Sequence, residues 1–143
     1  MNKKISITIF LLMICICTIN TSAAAYSHTS EIKLSCPGCP DIGNDHIDNE
    51  EFSSLAIYGH LYVDGREKWY RWLNYNVIDE NGNRLHEDTI CTVWPLGGVY
   101  WGCNFLKVGK YRLVIQYDGN EMDGYPPAIK VVNLNVKPSP PIF

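Results

Sequence analysis

The feature that most constrains this chain is the strict alternation of residues 55–63. Leu55, Ile57, Gly59, Leu61 and Val63 fall on one side of an extended backbone, and Ala56, Tyr58, His60 and Tyr62 on the other. A period of two over this length specifies a half-buried strand. The signal then recurs. Asp64-Gly65 marks a tight turn, and a second alternating run puts Trp69, Leu73, Tyr75 and Val77 opposite Tyr70, Trp72, Asn74 and Asn76. Asn81-Gly82, Pro95-Leu96-Gly97-Gly98 and Asp118-Gly119 punctuate the rest of the chain. Between them the sequence predicts strands over Leu85 and Thr89–Trp94, Val99–Phe105, Tyr111–Tyr117 and Ile129–Val136, with a short one at Glu31–Ser35. About seven short strands with turns roughly every ten residues, and no helical period, predict an all-β, antiparallel sandwich.

Before the first strand lies a different kind of segment. Lys3 and Lys4 precede an apolar run from Ile5 to Ile19, followed by Ala23-Ala24-Ala25. This layout is that of a secretory signal peptide over residues 1–25, with cleavage after Ala25. The expected product is secreted and extracellular, without stable membrane insertion after cleavage. The expected organisation continues with a lead-in over residues 26–51 holding a Cys36-Pro-Gly-Cys39 turn and an acidic loop. The β-sandwich domain occupies residues 52–137, and a Pro-rich tail residues 138–143. Six cysteines are present; Cys15 and Cys17 lie in the signal. Cys36, Cys39, Cys91 and Cys103 remain, and an even number outside the cell predicts two disulfides. Loop-closure cost favours the local pairs Cys36–Cys39 and Cys91–Cys103. A pair of cross-links between the two regions is the alternative.

The segment running from Ile57-Tyr58-Gly59-His60-Leu61 to Val132-Val136 resembles the Ig-like domains of bacterial and archaeal surface and adhesin proteins. Leu106, Gly109, Tyr111, Tyr117, Gly119, Val132, Leu134 and Val136 carry the resemblance. Prealbumin-like sandwiches share the pattern, so the resemblance implies an Ig-like or prealbumin-like sandwich and little about ligand. The four cysteines and the single unit depart from those arrays. Tyr111, just after a turn glycine, is expected to send its hydroxyl back to a loop carbonyl, as in a tyrosine corner.

Composition narrows the activity. The formal charge is −3, and no basic excess points to nucleic acid as a partner. No P-loop, HExxH or GxSxG motif occurs. The four histidines are scattered, and no cofactor or metal centre is expected. The acidic stretches around Asp41–Glu51 and Asp118–Asp123 lack EF-hand spacing and read as solvated loops. A redox role for Cys36 and Cys39 would need a lowered thiol pKa, which a helix N-terminus ordinarily supplies. Pro40 comes directly after Cys39, so a structural disulfide is the expectation and a small thiol–disulfide redox protein the alternative. The abundant aromatics are the remaining signal. Alternation sets Tyr58, His60, Tyr62, Tyr70 and Trp72 away from the core, as a strip able to stack on sugar rings or anchor a protein. The expectation is a non-enzymatic binding module for an extracellular protein or carbohydrate, with a secreted effector or inhibitor as a further alternative.

Overall fold

The computed structural model describes residues 26–102 and 104–141. Residues 1–25, where a signal peptide is expected, and Cys103 lie outside the described residues. The chain forms β1 (Ser30–Ser35), a 3-10 turn over Pro40–Asn44, β2 (His46–Glu50), β3 (Leu55–Val63), β4 (Arg66–Lys68), β5 (Trp72–Asp79), β6 (Arg84–Cys91), β7 (Gly98–Gly102), β8 (Gly109–Tyr117) and β9 (Ala128–Lys137). Among the described residues, all regular structure beyond that one turn is strand. Two of the nine, β2 and the three-residue β4, were not expected.

The strands form two sheets. In the first, β3 is central: β1 pairs with one edge, while β4 and β7 share the other, end to end. The second runs β2-β9-β8-β5-β6. Its β2–β9 pair is parallel, which corrects the expectation of a purely antiparallel fold. The alternation in β3 is fulfilled, with Ile57, Gly59, Leu61 and Val63 buried. Ile32, Ile57 and Leu61 from the first sheet share one core with Ile47, Leu73, Tyr75, Leu113, Ile115, Val132 and Leu134 from the second. Each such buried aliphatic contributes roughly 1.5–3 kcal/mol.

The turns obey their sequence signals where glycine meets a positive φ. Asp64 (φ 49) and Gly65 (φ 73) close the β3–β4 hairpin in the left-handed region, as a two-residue Asp-Gly loop requires. The Asp64 carboxylate also accepts hydrogen bonds from the Thr29 amide (2.9 Å) and hydroxyl (3.1 Å), and pairs with His28. These contacts hold Asp64 at a pKa of about 2, below the ordinary 3.8, the Thr29 amide being the largest cause. Asp48 is likewise lowered to about 2, by Lys137 first and Asn135 next. A depressed carboxylate stabilises the fold above its unfolded pKa and loses that contribution as pH falls through the folded value. The midpoint of thermal unfolding should therefore drop between about pH 4 and pH 2, and Asp64→Asn should flatten that drop. An Asp64→Asn profile parallel to the parent's would contradict the assignment.

Tyr111 behaves as expected of a tyrosine corner: its hydroxyl donates to the Lys107 carbonyl at 2.8 Å. Burial, then the charges of Asp79, Glu51 and Glu80, push that phenol above its usual pKa.

One expectation fails between β6 and β7. The runs 89–94 and 99–105 do not pair as a hairpin. β6 stops at Cys91 and pairs with β5, whereas β7 pairs with β3 in the other sheet. Reciprocal backbone hydrogen bonds between Val93 and Gly97 (2.9 and 2.7 Å) close the turn that carries the chain across. Gly97 has φ +71, and a Cβ there would lie 2.6 Å from the Gly59 carbonyl oxygen. Cys91 carries a free thiol; its expected partner, Cys103, lies outside the described residues. Cys36 and Cys39 are joined, and both are buried against the core.

Candidate functional site

The five residues expected as one aromatic strip stand in two places. Tyr58, His60 and Tyr62 lie half-buried on the outer face of the first sheet. His60 pairs with Glu67 through its Nδ1, and the Lys33 ammonium sits 4.7 Å from the centre of the Tyr62 ring. The His60 ring and the Tyr62 π face are thereby engaged within the protein. Tyr70 and Trp72 stand at the start of β5 and are 70% and 62% exposed.

Why two large aromatics remain in solvent is explained by the segment that carries them. Tyr70 has φ +59, a conformation that costs an L-residue about 1–2 kcal/mol. It ends the strand that alternation had drawn continuously through residues 69–77. Thr92, fully buried, holds the segment from beneath. Its hydroxyl accepts from the Arg71 amide (3.1 Å) and donates to the Lys68 carbonyl (3.2 Å). Its carbonyl accepts from the Tyr70 amide (2.6 Å), and its amide donates to the Arg71 carbonyl (2.8 Å). Four hydrogen bonds thus fix residues 68–71.

Across a hollow of about 330 Å³ from Tyr70 and Trp72 lie Tyr117, Asp118 and Asn120. The loop beyond is braced. Asn120 and Tyr125 exchange backbone hydrogen bonds at 2.8 and 2.9 Å, and Asp123 binds Arg71 at 3.2 Å. Lys68 and Arg71 place their charges over the Tyr125 ring at 5.4 and 5.9 Å. Beneath the hollow the Tyr117 hydroxyl is buried. Desolvation raises its pKa, and the Arg71 charge works in the opposite direction.

Next to Trp72 on the same sheet face runs a row of small polar groups. Asn74 donates to Asp118 (3.0 Å), Gln116 donates to the other Asp118 oxygen (2.7 Å), and the Thr89 hydroxyl donates to Asn74 (2.9 Å). The register places Thr89, Asn74 and Gln116 side by side on three strands. This leaves the Gln116 carbonyl and one amide hydrogen each on Asn74 and Gln116 free for a ligand. Sequence reading did not single out Asn74, Thr89 or Gln116 as binding residues. Their outward positions in the alternation were the available signal.

Three carboxylates of the acidic stretches are paired within the protein: Asp45 with Lys130, Asp48 with Lys137 and Asp123 with Arg71. Among the described residues no group of three or more His, Cys, Asp or Glu side chains could hold a metal ion. Also among the described residues, no helix is long and apolar enough to cross a membrane.

No protein-family model matches the chain, and no curated protein matches it.

Proposed function

We propose that this chain is a secreted, non-enzymatic binding module on an Ig-like or prealbumin-like sandwich, and that it takes a saccharide at the Tyr70–Trp72 hollow. The observation that carries this reading is the pair of exposed rings on an immobilised backbone, beside amides and a carboxylate already oriented by one another. A sugar offers what such a site lacks: C–H faces for aromatic rings, and hydroxyls that both donate to Asp118 and accept from Asn74 and Gln116. Preorganisation matters because ordering rotamer-rich side chains on binding costs about 0.5–1.5 kcal/mol each, and here Arg71, Asn74, Gln116 and Asp118 are already tied. The thiol–disulfide alternative receives less support, since Cys36 and Cys39 are only 7% and 6% exposed and exchange requires access to a sulfur.

The test is titration of the intact protein with a panel of soluble oligosaccharides, read by tryptophan fluorescence and calorimetry. Trp72→Ala should weaken binding at least tenfold, on the order of 1.4 kcal/mol or more, with an unchanged melting temperature. Binding by Trp72→Ala equal to that of the parent, or no response to any sugar in the panel, overturns the reading.

A further inference from the structure

The hollow and a second groove lie on one outward face of the five-stranded sheet, with Val114 and Val131 between them. Trp72 and Ile78 lie on β5, about 20 Å apart by strand rise, and Ile78 pairs in register with Arg112 on β8. Arg112 continues the row to Asn133 on β9 and His46 on β2. Lys110 and Asn135 form the next row. His46, Lys110, Arg112, Asn133 and Asn135 line a groove of about 590 Å³.

Its charges are unequal in what they leave free. Among the described residues the lysines and arginines paired with carboxylates are Lys33, Arg71, Arg84, Lys130 and Lys137. Lys110 and Arg112 are not among them. Of the two carboxylates at the groove, Asp79 is already engaged. One of its oxygens accepts from the Asn81 and Asn83 amides (2.9 and 2.8 Å), and the other from the Asn83 side chain (2.9 Å). The groove therefore offers two uncommitted cations, the amide of Asn133, and Glu80 as a hydroxyl acceptor, while the Asn135 amide already donates to Asp48 at 2.9 Å.

Between groove and hollow stands Asn76. Alternation sets it on the same outward face, yet it is only 7% exposed, and its side-chain oxygen accepts no hydrogen bond among the described residues. Such a buried atom costs about 1–3 kcal/mol while unpaired, and it lies out of reach of a ligand on this face.

We infer that the outer face of the five-stranded sheet is a single track for a linear acidic oligosaccharide, with one ring on Trp72 and a carboxylate or sulfate of a later unit on Arg112 and Lys110. This rests on the saccharide reading above and names the ligand class. Arg112 supplies the planar fork suited to a carboxylate, and Lys110 a point charge beside it.

The experiment titrates the intact protein, at physiological salt, with hexamers rich in galacturonate, mannuronate, or sulfated and carboxylated disaccharides. Each is matched to its methyl-esterified or desulfated counterpart, and free sulfate is a separate arm. At least one acidic hexamer should bind tighter than its neutral counterpart by about tenfold or more. Arg112→Gln with Lys110→Gln should erase that difference while leaving the neutral counterpart's affinity unchanged. Trp72→Ala should weaken acidic and neutral forms alike. Equal binding of every acidic and neutral pair overturns the acidic track but leaves the saccharide reading standing. Binding indifferent to Trp72→Ala fails both. Free sulfate competing fully with a hexamer shows a simple anion site and also overturns the track.

Discussion

Tyr75→Ala is expected to lower the unfolding free energy by about 3–5 kcal/mol. Tyr75 is fully buried on β5, its ring stacks on Tyr100 of β7 with centroids 5.2 Å apart, and its hydroxyl donates to the Gly98 carbonyl at 2.7 Å. It joins the two sheets by packing and by a hydrogen bond together. The slot for its phenol is made by two glycines that face each other in the β3–β7 register, Gly59 and Gly98. A Cβ on Gly59 would collide with the Tyr75 hydroxyl oxygen. Burial drives that phenol far above its ordinary pKa, so it remains a donor throughout the working pH range. Tyr75→Phe should cost about 1–3 kcal/mol, the penalty for leaving the Gly98 carbonyl unpaired. Gly59→Ala should be severe in the parent and milder in Tyr75→Phe, since the colliding oxygen is then gone. Urea unfolding of the four proteins at constant slope measures this coupling. Additive costs for Gly59→Ala and Tyr75→Phe would mean that the two do not share the slot.

The same pair shows what was legible in the sequence. Gly59 and Tyr75 both stand on the inward phase of an alternating run, so their burial could be read directly. That they meet could not, because the contact joins two sheets. β2 was missed for a related reason. Among His46 to Glu50 only Ile47 is an apolar inward residue. The second buried position is Asn49, whose amide is satisfied by the Ser53 carbonyl at 2.9 Å. An acidic edge strand held by backbone pairing to β9 carries almost no hydrophobic period. At Cys91 the error ran the other way. A Gly-Gly turn between two apolar runs is a strong local hairpin signal. Each run instead has a better-matched partner elsewhere: Leu73 opposite Ile90 across β5–β6, and Ile57 opposite Tyr100 across β3–β7. Local spacing cannot weigh such long-range pairings. For the residues proposed as a binding strip, alternation correctly turned Tyr58, His60, Tyr62 and Trp72 outward, but it could not assign them to different sheets. Tyr70 reached solvent by another cause, its positive φ.

That φ leads to the second large effect. Thr92→Val preserves the shape of a fully buried side chain and removes only its hydroxyl. The Arg71 amide and the Lys68 carbonyl then each lose a partner, for a combined cost of about 2–4 kcal/mol. A smaller loss would mean that water replaces the hydroxyl. The consequence for binding should exceed what stability alone accounts for. Tyr70 keeps its left-handed conformation only while its neighbours over-determine it. Once Lys68 and Arg71 are released, the segment can relax toward an ordinary extended φ and carry the ring away from Trp72. Saccharide affinity should therefore fall in Thr92→Val although both aromatics are intact, whereas Tyr70→Gly, which removes the ring and the backbone strain together, should lose affinity with little loss of stability. Melting temperature and affinity, measured on both variants, separate the two roles. A Thr92→Val protein that is destabilised yet binds as the parent does would mean that the buried hydroxyl supports the fold alone, and that the exposed rings hold their places without it.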